Sequence, residues 1–466
     1  MEYLESLRYL YGLQKFGIKL GLQNIRGLTA SLGSPERGIK FIHVAGTNGK
    51  GSTSAAIASI LGAAGKKTGL FTSPHLLSFT ERMRIFSGGE EITAERTVEL
   101  AGEVKRAVER GKGMNPTFFE FVTAMALLWF RQEGVEWAVL ETGMGGRLDS
   151  TNIVTPEVSV ITTVGMDHKD FLGGTLEEIA SEKAGIIKKG VPVVLGPQKP
   201  AAFGVFEERF FSLNSKNSKK QTPPLSLYGR DFTSELKESS GAGVEFDFFD
   251  PGASFSCKDI FFPLAGDYQA VNAAVAAEAA SAAGLGRESF IREGLRLTTL
   301  PGRLEQVQES PEIRLDGAHN PEAAEALARA LKQIFLSPRA VAEGGRRLIL
   351  VLGIMKDKDM DGIMAPLLPL AAGGNSSGEK RGKVIFTAPA YGRAARPEEL
   401  QRRAEEMGFG AGGIAVSSLA KAIKEAKALA RPEDLIIITG SFYTAGEAKE
   451  ILKRGGGKFS RLRETR

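Results

Sequence analysis

Residues 43–53 read HVAGTNGKGST, with glycines at 46, 49 and 51 crowded around Lys50. Backbone N–H groups that point inward, as glycines permit, together with one lysine, make a cradle for a phosphate. Such a cradle belongs between a strand and a helix. Here the apolar KFIHV precedes it, STSAAIASILGAAG follows, and Ser52 or Thr53 is placed to cap the helix. The common pattern GxxxxGK[ST] fails twice, because Val44 stands six before Lys50 and Gly51 separates Lys50 from Ser52. The plainer alternative is a glycine-rich turn carrying an exposed lysine.

The chain has four histidines, His43, His75, His168 and His319, and the last three each follow a strand-like segment. Open α/β sheets place their ligands at such ends. His168, in SVITTVGMDHKD, is either a metal ligand or a residue that closes its loop by hydrogen bonding. Ser73, in LFTSPHL, either offers its hydroxyl to a cation or caps a turn before Pro74. Glu120 lies in the almost wholly apolar stretch NPTFFEFVTAMALLWF; it is a metal ligand or the partner of Thr117 in a T-x-x-E capping box.

Lys183 is the sharpest local signal. In TLEEIASEKAGIIKKG, Thr175 and Glu178 form a second capping box, and Gly185 marks the stop. Leu176, Ile179, Ala180 and Lys183 then share one face, so the lysine falls on the apolar stripe. A buried lysine must find a partner or lose its proton. A neutral amine can take up CO₂ as a carbamate, which turns a cation into a carboxylate able to bind metal. Being near the helix end, Lys183 can instead snorkel to water, and local physics favours that reading.

The elements that must hold these residues alternate. Apolar strand candidates at 40–44, 67–71, 136–141, 157–163 and 191–195 are separated by helical stretches at 52–64, 93–110, 117–131 and 175–184. That rhythm predicts an α/β fold with a doubly wound, mainly parallel sheet. GVEFDFF and ASFSCKDIFF, within 225–262, predict a small antiparallel sheet, and an alanine-rich helix follows at 268–283. After TTLPGR, 298–303, the α/β rhythm restarts with strands at 347–353, 383–388 and 434–439. Two domains are therefore expected, 1–299 with an N-terminal helical segment and 300–466, the second Rossmann-like. The polar stretches 212–224 and 371–383 read as loops and 454–466 as a frayed tail.

The bulk numbers narrow the class. A net charge of +5 over 466 residues hints at anionic ligands without arguing for nucleic acid. The single cysteine, Cys257, excludes an internal disulfide. The N-terminus is not a secretory signal, and no apolar run is long enough to span a membrane. A cytoplasmic protein is expected, with no membrane or nucleic-acid partner.

Taken together, HVAGTNGKGST, TSPHL, FFEFVTAMAL, LETGMGGRLDSTN, ITTVGMDHKDFLGGTLEEIASEKAGIIK, LPGRLE, DGAHNP, DKD and TGSFYTAGE occur in this order between Lys40 and Glu447. The series resembles the folylpolyglutamate synthase/dihydrofolate synthase family, a branch of the Mur-type ATP-dependent amide ligases. Gly51 after Lys50 looks like the folate branch, since peptidoglycan Mur ligases usually read GKT[ST] there. The resemblance implies an N-terminal P-loop-type ATPase domain and a C-terminal Rossmann-like domain. It implies that ATP phosphorylates a carboxylate and that the amine of L-glutamate attacks the acyl phosphate, with 7,8-dihydropteroate or a folyl chain as acceptor. By the same resemblance Gly49, Lys50, Gly51 and Ser52 hold ATP, and Asn272, Arg303 and Asp316 reach it from further along the chain. Ser73, Glu120 and His168 look like ligands of Mg²⁺, of which this branch typically has two, and Lys183 matches the position carbamylated in the family. His319 and Ser441 resemble positions on the glutamate side, and 17–28 is a candidate for the pterin side. Thr142 and Met144 depart from the family, which more often has valine or isoleucine, and leucine. A bifunctional monomer is expected. The alternatives are a folylpolyglutamate synthase alone or, more remotely, a peptidoglycan-type ligase, which carries a further N-terminal domain where here the loop already begins at His43. A non-enzymatic nucleotide switch is disfavoured, because it would not need LPGRLE and DGAHNP.

Overall fold

The structure, a computed structural model, describes residues 2–17, 21–86, 90–111, 113–215, 222–252, 255–336, 346–372, 382–409 and 413–453. Residues 18–20, 216–221, 373–381 and 454–466, on which parts of the expected pterin segment, loops and tail fall, lie outside the described residues.

The first sheet has eight strands: β1 Lys40–Ala45, β2 Thr68–Phe71, β3 Met83–Phe86, β4 Glu90–Glu91, β5 Trp137–Glu141, β6 Val158–Ile161, β7 Val193–Leu195 and β8 Leu225–Leu227. Their order is β4-β3-β2-β5-β1-β6-β7-β8. All neighbours run parallel except β2–β3 and β3–β4. β1 lies between β5 and β6, so the order reverses there, and the carboxyl end of such a strand opens a crevice. The strands β1, β2, β5, β6 and β7 are buried almost along their whole length, which is why they read as continuous apolar runs.

The helix after β1, Lys50–Ala63, is buried from Gly51 to Leu61. It packs between helices Tyr268–Ala282 and Glu288–Arg296. Small residues on every face let the three approach closely: a Cβ at Gly294 would lie 2.4 Å from the Cα of Ile60. The antiparallel sheet, β9 Thr233–Ser239, β10 Val244–Asp250 and β11 Phe255–Phe262, covers this layer and shares its core through Phe246, Phe248 and Phe262.

The second α/β unit is a six-stranded sheet: β12 Glu305–Gln308, β13 Glu312–Leu315, β14 Leu348–Leu352, β15 Lys383–Phe386, β16 Gly413–Ala415 and β17 Leu435–Thr439. The order is β12-β13-β17-β14-β15-β16, with only the edge pair β12–β13 antiparallel. Arg84 of β3 grips the connection between the units, donating to the carbonyl and hydroxyl oxygens of Thr299 at 3.1 and 3.0 Å.

Asp434, at the start of β17, is fully buried and pairs with the Arg347 guanidinium at 2.5 Å. It also accepts the N–H groups of Arg347 and Arg431, which ties β17 to β14. Burial alone would raise its carboxyl, but the guanidinium and the two N–H groups outweigh this and hold it below the usual carboxylate range. Asp434→Ala is expected to cost about 3 kcal/mol at neutral pH, the low end for a broken buried pair because Arg347 stays partly in water. A group whose carboxyl is depressed by folding stabilises above its unfolded value, about 3.9, and loses that contribution as the pH falls below it. Chemical denaturation should therefore show the gap between wild type and variant narrowing between pH 7 and pH 3. A gap of constant size would contradict this account.

Candidate active site

The loop 46–49 leaves β1 and enters helix Lys50–Ala63. The N-cap is Gly49, with φ +86°, and not Ser52 or Thr53, which lie inside the first turn and are buried. The sequence expectation of a hydroxyl cap is thus corrected: the chain needs a left-handed residue at the turn, and glycine supplies it without steric cost. A Cβ at Gly49 would lie 2.4 Å from Oδ1 of Asn272, and one at Gly46 (φ +150°) 1.8 Å from Oγ1 of Thr162. At Gly51 nothing would come closer than 3.7 Å. The loop is stitched to the end of β6: Thr47 N donates to Thr163 O at 2.8 Å, and the Thr162 hydroxyl donates to Asn48 O at 2.8 Å. Lys50 folds back over it, Nζ donating to the carbonyls of Gly46 and Thr47 at 3.2 and 3.1 Å.

Lys183 approaches from the helix Leu176–Ala184. It is only 3 % exposed, and its Nζ donates to Gly46 O at 2.7 Å. Snorkelling is therefore overturned. The helix points its apolar stripe at the phosphate loop, so the amine ends on Gly46 O and not at the outer surface. Burial, with repulsion from Lys50, lowers its pKa to about 7. Gly185 does follow this helix, but in right-handed conformation rather than as a left-handed stop.

Both readings of Glu120 bear on what is seen. Its Oε2 accepts Thr117 N at 2.7 Å and the Thr117 hydroxyl accepts Glu120 N, so the capping box forms. The residue also lines a cavity with Ser73 and His168. Ser73 donates its N–H to Glu141 Oε2 at 3.0 Å. Glu141, 4 % exposed, has its carboxyl raised by burial, opposed by Lys50, the Ser73 N–H and Arg303. His168 adopts a left-handed conformation, φ +51°, immediately after Asp167. Among the described residues no group of three or more histidine, cysteine, aspartate or glutamate side chains is gathered to hold a metal. A hydroxyl, one carboxylate and one imidazole suit Mg²⁺ only if it keeps waters and phosphate oxygens in its shell, which is its habit.

From the second unit, Asp316 is buried and accepts the N–H groups of Leu304 and Ala318 at 3.0 and 2.8 Å. Leu304 is a non-glycine residue at φ +46°, and this carboxylate holds it there, next to Arg303. Arg303 lies over the ring of Phe442 at 4.5 Å. His319 bonds Gly317 O through Nδ1 at 2.9 Å, and burial lowers its pKa to about 4. The Ser441 hydroxyl caps helix Phe442–Lys453, accepting Thr444 N at 3.1 Å.

Two joined cavities collect these groups. The larger, about 670 Å³, is lined by Gly49, Lys50, Gly51, Ser52, Ser73, His168, Lys183 and Asn272 from the first unit and by Arg303, Asp316 and His319 from the second. The other, about 400 Å³, shares Ser73, His168 and His319 and adds Glu120, Ser441 and an aromatic wall of Phe118, Phe119 and Phe171. Gly17 and Gly21, on either side of 18–20, reach its rim. Glu120 and Ser441 thus stand apart from the phosphate loop and meet the others only through the shared rim.

Sequence reasoning missed several members. Asp149 gathers the N–H groups of Gly143 and Met144 through Oδ2, shaping the wall common to both cavities. Glu141 was hidden at the end of an apolar strand. Asp167 was overshadowed by His168, and Lys358 lay in a motif without an assigned role. Asp167 lies 2.6 Å from Lys358 Nζ and 3.7 Å from His319 Nε2. The one available signal was an acid directly beside a histidine in a post-strand loop.

Comparison with known proteins agrees with this fold. Residues 44–280 match the family model of the Mur ligase middle domain, and 302–442 that of the Mur ligase, glutamate ligase domain. A folylpolyglutamate synthase of Lacticaseibacillus casei is 35% identical over 467 residues, covering 98% of this chain and 100% of its own. A dihydrofolate synthase/folylpolyglutamate synthase of Bacillus subtilis is 35% identical over 462 residues, 97% of this chain and 99% of its own. Among solved structures, Escherichia coli FolC in complex with DHPP and ADP superposes with a TM-score of 0.81 at 32% identity, covering 98% and 99% of the two chains.

Proposed function

The chain belongs to the Mur ligase family, on its dihydrofolate synthase/folylpolyglutamate synthase branch, and from that premise we propose how it works as an ATP-dependent amide ligase. ATP phosphorylates the carboxylate of 7,8-dihydropteroate or of a folyl glutamate. The amine of L-glutamate displaces the phosphate, and an amide, ADP and phosphate are released. The observation that carries this reading is the pair of joined cavities, with the phosphate loop and Lys50 on one wall and Arg303, Asp316 and His319 on the other.

ATP lies on the loop 49–52, where Lys50 faces the transferring phosphoryl group and Arg303 meets its charge from the opposite side. Asn272, against Gly49, borders the nucleotide, and Asp316 sets the backbone that carries Arg303. The aromatic cavity takes the pterin and aminobenzoate rings, so the acceptor's carboxylate faces the larger cavity across the shared rim. His319 and Ser441 border the glutamate side. Ser73, Glu120 and His168 would hold Mg²⁺, and a carbamate on Lys183 would add a fourth ligand; the ions would screen the phosphate charge. The domain boundary at 299 and 300 belongs to the same proposal, supported by β12 starting at Glu305. A monomer is part of the same proposal. Among the described residues no helix is long and apolar enough to cross a membrane.

The test is phosphate release measured with each component omitted, and with dihydropteroate and tetrahydrofolate offered side by side. Release should require L-glutamate and an acceptor together, and both acceptors should serve. Release that ignores the acceptor would sink the ligase reading. Use of tetrahydrofolate alone would leave a monofunctional folylpolyglutamate synthase.

A further inference from the structure

Several polar contacts cross from the first unit to the second at the phosphate-loop end of the cleft. Asn48, in the loop itself, exchanges hydrogen bonds with Asn320: Nδ2 of Asn320 donates to Oδ1 of Asn48 at 3.0 Å, and Nδ2 of Asn48 donates back at 3.3 Å. Asn320 also donates to Oδ2 of Asp167 at 3.3 Å and caps helix Pro321–Ala330 by accepting Ala323 N at 2.9 Å. Oδ1 of Asp167 pairs with Lys358 Nζ at 2.6 Å, and the two side chains are 10% and 13% exposed. Farther out, Lys199 and Glu322 pair at 3.0 Å but are 61% and 35% exposed.

These pairs differ in weight. An ion pair left in water contributes little, so Lys199–Glu322 is no lock. An acid and an amine largely withdrawn from water attract each other more strongly than an exposed pair, and opening rehydrates both at the loss of that attraction. Opening the cleft would break the Asp167–Lys358 pair and the amide exchange in the same movement. Asn48 makes the closure sensitive to the loop that takes the phosphate.

We propose that Asp167, with the Asn48–Asn320 pair, is a clasp that positions the second unit over the phosphate loop and keeps water from the activated carboxylate. This rests on the acyl-phosphate reading above. In the productive reaction the glutamate amine attacks the acyl carbon, and the bond to the phosphate oxygen breaks. In an unclasped cleft water attacks instead. The same bond breaks, carboxylate and phosphate leave, a proton goes to solvent, and ATP is consumed with no amide made.

The experiment measures amide formed and phosphate released on the full chain with ATP, Mg²⁺, L-glutamate and a folate, together with the melting temperature. Asp167→Asn should lower kcat for amide formation by about 100-fold, the effect of a misplacement near 1 Å. Phosphate released per amide should rise several-fold, with the KM for ATP and the melting temperature little changed. Asn48→Ala and Asn320→Ala should each uncouple the reaction in the same sense, and the double variant should lose no more than Asn320→Ala alone, which already removes the shared pair. Wild-type coupling in Asp167→Asn overturns the clasp. If that variant fails to fold, the asparagine cycle decides, and losses that add independently overturn it. A wild-type protein that makes no amide at all would instead refute the functional reading on which the clasp rests.

Discussion

Replacing Lys50 with methionine is expected to lower kcat for ADP formation by about 100- to 1000-fold, the usual loss when one preorganised charge partner of a transition state is removed. The fold should survive. Methionine keeps most of the length, and what the lysine contributes to the ground state is two hydrogen bonds to its own loop, Gly46 O and Thr47 O. The loop's shape does not depend on them, because Thr47 and Asn48 are tied to β6 independently. The loss should therefore fall on turnover, while nucleotide affinity falls less. Single-turnover ADP formation and nucleotide titration separate the two. An unchanged kcat would reduce Lys50 to a loop brace.

Lys183→Ala should abolish turnover, and added formate or acetate should restore part of it. The amine reacts with CO₂ only when neutral: the nitrogen bonds the carbon, and a proton is released to solvent. With a pKa lowered to about 7, the amine is mostly protonated below that pH and mostly neutral above it. In CO₂-depleted buffer the wild type should thus be poorly active at every pH, and added bicarbonate should restore more activity above pH 7, where the amine is neutral, than below it. An alanine variant that melts normally, is inactive and is not rescued would remove the carbamate, leaving Lys183 as the cation that fixes Gly46 O.

The architecture was legible where burial leaves a mark in composition. β1, β5 and β6 are apolar because both faces are covered, and their bounds fall within one or two residues of those expected. The edge pair β3–β4 was not legible: β4 is two exposed glutamates, and β3 carries the charged Arg84. Periodicity put Lys183 on the apolar stripe, yet choosing burial over snorkelling required Gly46, 137 residues away in the chain. Glu120 shows the reverse limit. Its local spacing allows a capping box or a metal ligand; the box forms, but only the tertiary fold brings the residue to a cavity beside Ser73 and His168. Asn320 was invisible because its role as a cap and its role as a bridge to Asn48 use the same amide.

The helix behind the phosphate loop has one further consequence, in the time domain. From Gly51 to Leu61 it is buried on every side and pressed against Gly294 at backbone distance. A segment so enclosed cannot open by itself, and its amides exchange with solvent only when most of the molecule unfolds. The anion cradle is thus mounted on a part of the protein that does not breathe. Motion that admits substrates and releases products is therefore expected from the second unit and the surrounding loops, and not from this helix.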